Sequence, residues 1–152
     1  MTTISHNNLI NKVLTGKEFK QHFYNTSFYK ITNKKELHNN FQYTNGLNVD
    51  TNKFNPSGKC KSGGLYFTTL ENISLFMDGT YGKYIRQIHI FDDSKVYIEQ
   101  NKFKTDKFFA DPKILIEDFF FWYDYSFCLN AVKQKGLTLQ FVKEQTSDIC
   151  ME

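Results

Sequence analysis

Short runs of alternating apolar and polar residues fill the first two thirds of the chain and predict β-strands. The clearest runs are FYKIT from Phe28, LYFT from Leu65, KVYIE from Lys95 and KFKTDKFF from Lys102. YIRQIHIF, which starts at Tyr84, has apolar residues on both parities, so it predicts a central strand that is covered on both faces. The pattern as a whole predicts about four to six mostly antiparallel strands.

Helical signals flank these strands. Thr15 and Glu18 have the spacing of a capping box ahead of one short helix. Thr68 and Glu71 repeat that spacing ahead of a second helix, whose apolar face is expected to reach residue 77. The sheet is therefore expected to have helices beside it.

The C-terminal part of the chain changes to helical periodicity. Apolar residues recur at helical spacing over residues 114–150 with a break at Gly136, which predicts a helical hairpin. Cys128-Leu129 recurs as Cys150-Met151, at a spacing that is typical of a repeat of two short helices. We expect an α+β fold, with a small mostly antiparallel sheet, flanking helices and a C-terminal helical hairpin. The expected organisation is a flexible N-terminal tail at 1–14, an α+β domain at 15–112 and a helical repeat-like segment at 113–152.

The composition narrows the classes of function. The 152 residues are 40% hydrophobic and include 16 Phe and 9 Tyr, which predicts a core rich in rings. A net charge of +3, with Arg86 as the only arginine among dispersed lysines, argues against a nucleic-acid-binding face. No apolar run is long enough to span a membrane, and the N-terminus does not read as a secretory signal. Three cysteines and four histidines without ligand spacing argue against a metal site. We expect an intracellular protein that is not secreted.

Gly63 and Gly64 lead directly into the LYFT strand. A phosphate-binding P-loop places its glycines between a strand and a helix, with a lysine after them, whereas Lys61 precedes this pair. The order favours a backbone bend with positive φ at the entrance to the sheet. Cys60, which stands between two lysines, is a weaker candidate, because a catalytic thiol would also need a histidine close in space.

Two blocks of the sequence resemble a viral protein family. FYKITNKKELHNNFQYTNGLNVDTNKFNPSGKCKSGGLYFTTLENISLFMDGTYGKYIRQIHI, followed by VYIEQNKFKTDK, resembles the N-terminal domain of a largely uncharacterised family from mimivirus-type giant viruses. In that family the domain precedes ankyrin, pentapeptide or short helical repeats. CLNAVKQKGLTLQFVKEQTSDICME resembles one unit, and the start of another, of a helical AVKQ-type repeat from those viruses. The resemblance implies a giant-virus protein and assigns no biochemical activity.

The order FYKIT, GLN and GGLYFTTLENI is also similar to that of ADP-ribosyltransferase-like folds. This similarity implies that Tyr29 lies near the nicotinamide ribose of NAD and that Tyr66 stacks on the nicotinamide ring. A transferase needs a carboxylate that polarises the ribose hydroxyl during glycosyl transfer. Glu99 and Asp106 are the nearest candidates, and neither has the expected sequence surroundings. Whether the chain is an enzyme stays open, and NAD is expected only under this alternative.

Arg86 and His38 are the remaining binding candidates besides the two glycines. Arg86 lies in the strand that is expected to be central, where a buried charge needs a partner. A bidentate ion pair with Asp106 or Glu99 is favoured over an anion clamp at a pocket. His38 is either a polar pocket residue or a surface loop residue.

The sequence favours a non-catalytic protein-interaction module that binds a host or viral protein, in the infected host's cytoplasm or in the virion. The alternative is an ADP-ribosyltransferase-like NAD-binding domain, active or degenerate. An exposed apolar face within residues 114–150 would favour the interaction module. A cleft beside Tyr29 and Tyr66 with a carboxylate facing it would favour the alternative. In the interaction module we expect Tyr66 to be covered.

Overall fold

The computed structural model describes residues 5–58, 61–78 and 82–151. The strands are β1 (Val13–Thr15), β2 (Phe28–Thr32), β3 (Leu37–His38), β4 (Phe41–Gln42), β5 (Gly46–Val49), β6 (Leu65–Thr69), β7 (Tyr84–His89), β8 (Lys95–Ile98), β9 (Phe103–Thr105), β10 (Lys107–Ala110) and β11 (Ile114–Leu115). The α-helices are α1 (Gly16–His22), α2 (Tyr125–Gln134) and α3 (Ser147–Cys150). Five 3₁₀ helices complete the described elements: His6–Leu9, Ile73–Phe76, Ile116–Asp118, Phe120–Tyr123 and Gly136–Phe141.

Nine of the described strands form one antiparallel sheet. Eight of them run in the order β1-β8-β9-β6-β2-β7-β10-β5, β11 pairs with β7 beside this path, and β3 pairs with β4 separately. β6 joins the two halves, because Leu65 to Phe67 pair with β9 whereas Thr68 and Thr69 pair with β2. The prediction of a small sheet was wrong. Strands of two to four residues, such as β11 and β5, are too short to give a period-two signal.

The predicted C-terminal helical hairpin is also not present. Ile116, Phe119 and Trp122 are spaced three residues apart and are almost completely buried. This spacing matches the three residues per turn of a 3₁₀ helix, and two short 3₁₀ helices occupy the segment. α2 follows with ten residues and ends where Lys135 turns extended, at φ −152° and ψ 99°. The apolar spacing of these residues does not distinguish two 3₁₀ turns followed by α2 from a longer helical unit.

Of the two predicted flanking helices, the first is an α-helix and the second is only a 3₁₀ turn. At α1 the Thr15 side chain accepts from the Glu18 N–H and the Glu18 side chain accepts from the Thr15 N–H, so the predicted capping box is complete. The helix expected to reach residue 77 is only the 3₁₀ turn Ile73–Phe76. Thr68 cannot cap it, since this residue is still within β6 and its hydroxyl donates to the Asn101 carbonyl at 2.6 Å.

The buried side chains form two clusters. The first, which we call the α1 core, is ring-rich and centres on Phe19, packed among Phe28, Phe67 and Phe103 at centroid distances of 4.9–5.8 Å. The second, the C-terminal core, joins Tyr29, Ile31 and Ile85 of the sheet to the residues that follow position 115. The C-terminal segment therefore shares a core with β2 and β7. The predicted domain limits at residues 14 and 112 stay predictions.

The N-terminal segment that was expected to be a flexible tail carries structure over its described part. His6–Leu9 forms a 3₁₀ helix, and Leu9 is 3% exposed in the α1 core. The Asn11 N–H donates to the Ile98 carbonyl at 2.8 Å, just before β1 pairs with β8. This segment thus contributes an edge strand to the sheet.

Candidate functional site

A cavity of about 270 Å³ opens where β6 changes its pairing from β9 to β2. We call it the Tyr66 cavity. Its walls are Tyr29, Lys30, Ile31, His38, Tyr66, Phe67, Thr68, Ile73, Leu75, Phe76, Asp78, Lys102 and Lys135. Three of the residues predicted from the sequence therefore line the same cavity: Tyr29, His38 and Tyr66.

The two tyrosines contribute differently to the cavity. Tyr29 is 4% exposed, its ring packs edge-on against Phe119 at 5.3 Å, and burial raises the pKa of its hydroxyl. Tyr66 is only half-buried, and its ring has the Lys102 ammonium at 4.3 Å and the Lys104 ammonium at 5.4 Å from the centroid. Tyr66 was expected to be covered; its hydroxyl oxygen is buried, while the residue as a whole is half-buried and forms part of a cavity wall.

Positive charge surrounds this aromatic wall. The Lys30 ammonium is held by the Tyr66 carbonyl at 2.8 Å, and Lys135 donates to the Leu75 carbonyl at 3.5 Å. Burial lowers the pKa of His38, and the charges of Lys30 and Lys102 lower it further. Burial and the two positive charges thus all favour the neutral imidazole over the protonated one. Three lysines and one acidic residue, Asp78, are among the described residues that line the cavity.

The two predicted catalytic carboxylates lie elsewhere. Glu99 is half-buried at a separate cavity of about 480 Å³, beside Ser57 and Tyr97, and burial raises its pKa although Lys102 and Lys104 act in the opposite direction. Asp106 accepts from the Lys95 N–H at 2.9 Å at the turn between β9 and β10. Neither residue is among the described residues that line the Tyr66 cavity.

Arg86 makes the expected buried ion pair, but with a different partner. Its Nε donates to Glu36 Oε2 at 2.7 Å and its second terminal nitrogen donates to Glu36 Oε1 at 2.8 Å, a bidentate arrangement. The two side chains are 3% and 5% exposed. Arg86 also donates to Asn45 Oδ1 and to the Asp111 carbonyl. Sequence reasoning missed Glu36, because it lies 50 positions before Arg86 in a turn and reaches a φ of +53°.

Gly63 and Gly64 form the predicted bend, with φ values of +97° and +148°. A Cβ on Gly63 would lie 2.5 Å from the Lys53 carbonyl oxygen, and one on Gly64 would lie 2.5 Å from Lys104 Cγ. The Gly64 N–H donates to Asp50 Oδ2 at 2.7 Å. The loop is thus closed by a carboxylate of the chain itself, and its shape requires glycine.

Three further expectations concern Cys60, a metal site and a membrane-spanning segment. Cys60 lies outside the described residues. Within the described residues, no three His, Cys, Asp or Glu side chains are grouped closely enough to hold a metal ion. Among the helices described, none has the length and apolarity needed to cross a bilayer.

Large aromatic rings protrude from the C-terminal segment. Phe120 is 61%, Tyr123 65% and Tyr125 48% exposed, and we call these three residues the aromatic patch. Phe120 and Tyr123 are three residues apart in one 3₁₀ helix, so they project on the same side of it. Phe119 and Trp122 anchor the opposite side in the C-terminal core at 1% and 0% exposure. A fixed backbone therefore presents these rings to the outside.

Comparison with curated proteins finds homologues from a giant virus. Over 90 residues the chain is 34% identical to "Putative ankyrin repeat protein R868" of Acanthamoeba polyphaga mimivirus, a match that covers 58% of this chain and 44% of that protein. It is 35% identical over 92 residues to "Putative ankyrin repeat protein R896" of the same virus, covering 60% and 27% of the two chains. "Uncharacterized protein R869" is 35% identical over 65 residues, covering 41% and 46%.

The chain spans less than half the length of these relatives. No protein-family model and no solved structure matches it. The homologues support the resemblance to mimivirus-type proteins. The individual GGLYFT and KFKTDK motifs and the AVKQ-type repeat stay predictions as marks of a family.

Proposed function

We propose that this protein is a non-catalytic interaction module of a giant virus, which binds a host or viral protein through the aromatic patch. The observation that carries the proposal is the exposure of Phe120 and Tyr123 beside the buried Phe119 and Trp122. Exposed rings on a rigid support lose little conformational entropy on binding, and aromatic residues are enriched in protein interfaces. An exposed apolar face within residues 114–150 is the feature expected of an interaction module, and the aromatic patch lies in that range.

The relatives support the same class of function. Two of them are named as ankyrin repeat proteins, and the match with this chain covers 44% and 27% of their lengths. A domain that accompanies repeats in its relatives fits an interaction role, since stacked repeats present extended binding surfaces. We assign the GGLYFT and KFKTDK motifs to this domain and residues 127–152 to an AVKQ-type repeat that has docked on it. The partner is encountered in the infected host's cytoplasm or within the virion.

An NAD-binding domain of ADP-ribosyltransferase type stays the second candidate, because the Tyr66 cavity opens beside Tyr29 and Tyr66. Its volume of about 270 Å³ is below the roughly 300–1,000 Å³ of sites for drug-sized ligands. Glu99 and Asp106 do not accompany the tyrosines, and the carboxylate in the cavity belongs to Asp78. The interaction module needs no cofactor, whereas this second candidate needs NAD.

The proposal is tested by comparing captured proteins between variants. Immobilised wild-type protein and a Phe120→Ser, Tyr123→Ser double variant are exposed to lysate of infected amoebae, and the retained proteins are quantified by mass spectrometry. We expect a defined set to be lost from the double variant. Tyr24→Ser is the matched control, since Tyr24 is 75% exposed and lies outside the patch. Equal capture by the double variant and the wild type, with equal thermal melts, would refute the proposal.

A further inference from the structure

We propose that the Tyr66 cavity binds a small ligand in which a planar aromatic ring carries a phosphate group, the chemistry of a nucleoside monophosphate. This inference is independent of the aromatic patch and of any transferase activity. It follows from the walls of the cavity, from its charge and from its size.

The walls suit a planar ring. Tyr66 and Phe76 are half-buried, Tyr29 closes the interior, and Ile31 and Ile73 add apolar surface. Ligand sites are typically concave, mainly apolar and supplied with a few well-placed polar groups. Aromatic side chains in such a wall stack against a flat ligand face or meet its edge.

The charge suits a phosphate. The described residues of the walls include three lysines, Lys30, Lys102 and Lys135, and one acidic residue, Asp78. Two of these ammonium groups are positioned in advance by backbone carbonyls, Lys30 by Tyr66 and Lys135 by Leu75. Lysine is a common phosphate-binding residue that acts as a compact positive charge. Positioning in advance means that the ligand need not order these side chains itself.

The lowered pKa of His38 supports this view of the charge. Burial is the larger cause, and the charges of Lys30 and Lys102 add to it. The direction of this shift agrees with the placement of the two lysines near His38, since nearby positive charge disfavours the protonated imidazole.

The size limits the ligand. At about 270 Å³ the cavity lies just below the range of about 300–1,000 Å³ for sites that enclose drug-sized ligands. We therefore infer a ligand with one planar aromatic ring system and one phosphate, rather than an enclosed dinucleotide.

The test is a titration of the full chain with four probes, followed by the aromatic NMR signals of Tyr66 and Tyr29. AMP and phenyl phosphate each carry a ring and a phosphate, adenosine has no charge, and inorganic phosphate has no ring. We expect saturable shifts with AMP, phenyl phosphate or both, and binding at least tenfold tighter than with adenosine or inorganic phosphate. The tighter of the first two shows whether the ring is a nucleobase or a simple phenyl group.

Two variants connect binding with the cavity. Lys102→Met should weaken binding of the better probe roughly tenfold, at the low end of what a hydrogen bond to a charged group contributes. Lys113→Met is the matched control, because its ammonium lies 4.3 Å from the Tyr84 ring, as that of Lys102 does from Tyr66, but outside the cavity. The proposal is overturned if neither ring-bearing phosphate saturates at millimolar concentration. It is equally overturned if adenosine or inorganic phosphate binds as tightly, or if the two variants weaken binding equally.

Discussion

Lys30 and Arg86 are register partners across β2 and β7, but their charged groups bind different partners. Arg86 turns to Glu36 and forms a bidentate ion pair in which both side chains are at most 5% exposed. Lys30 turns to the Tyr66 carbonyl, and its charge still lowers the pKa of His38 across the Tyr66 cavity. Like charges directly opposite each other destabilise a sheet, so the two side chains must reach separate partners.

The two cations differ in the kind of partner: Arg86 binds a carboxylate, whereas Lys30 binds a backbone carbonyl. A carboxylate that accepts two hydrogen bonds from Arg86 compensates its charge inside the protein. Lys30 and Lys135 instead donate to backbone carbonyl oxygens, those of Tyr66 and Leu75. Under our proposal a ligand contacts the lysines of the Tyr66 cavity, whereas Arg86 stays in its buried ion pair.

The largest expected effect is at the ion pair. Arg86→Met should lower the free energy of unfolding by about 3–5 kcal/mol, because it leaves the buried Glu36 carboxylate without its main partner. Urea denaturation measures the loss. Adding Glu36→Gln to Arg86→Met should recover part of it, since the uncompensated charge is then gone. An unchanged denaturation midpoint in Arg86→Met would mean that this cation is not structural.

The next effect concerns the bend beside the cavity. Gly64→Ala should destabilise the protein by roughly 1–3 kcal/mol, since φ is +148° and the new Cβ would meet the stem of the buried Lys104. Gly136→Ala is the matched control, because nothing lies within 4 Å of a Cβ there. Thermal melts of the two variants should differ clearly, and equal melting temperatures would contradict the account of the loop.

The ion pair should also make stability depend on pH. Burial alone would raise the pKa of Glu36, but hydrogen bonds from Arg86 and Thr32 and the charges of Arg86 and Lys113 outweigh burial and lower it below 4.5. A lowered folded-state pKa contributes stability that is complete above the unfolded value of 4.5 and is lost as pH falls through the folded-state pKa. The difference in unfolding free energy between wild type and Glu36→Gln should therefore shrink below pH 4.5. A difference that stays constant from pH 7 down to pH 3 would argue against the assignment.

The smallest effect tests the potential in the cavity. Lys102→Met should raise the pKa of His38, because one of the two charges that lower it is removed while burial remains. NMR titration of the His38 ring measures this shift without requiring any ligand. Lys113→Met should leave the His38 titration unchanged. If both variants shift it equally, the lysines at the cavity have no special electrostatic role.

The sequence by itself determined the features that depend on neighbours along the chain. The Thr15–Glu18 capping box, the strands at Phe28, Leu65 and Tyr84, and the positive φ of Gly63 and Gly64 were all predicted correctly. Such features depend on residue periodicity, a three-residue spacing or the absence of a Cβ, and these are visible in a short window of sequence.

Tertiary structure alone decided the rest. Arg86 was expected to need an acid, but only the topology brings Glu36 to it across 50 positions. The 3₁₀ turns of residues 116–123 follow from anchoring Ile116, Phe119 and Trp122 in the core, which the apolar pattern did not distinguish from a longer helix. The Tyr66 cavity exists because β6 changes partners midway and brings Lys30, His38 and Lys102 around one ring. Long-range pairing sets these positions, and no local spacing in the sequence encodes it.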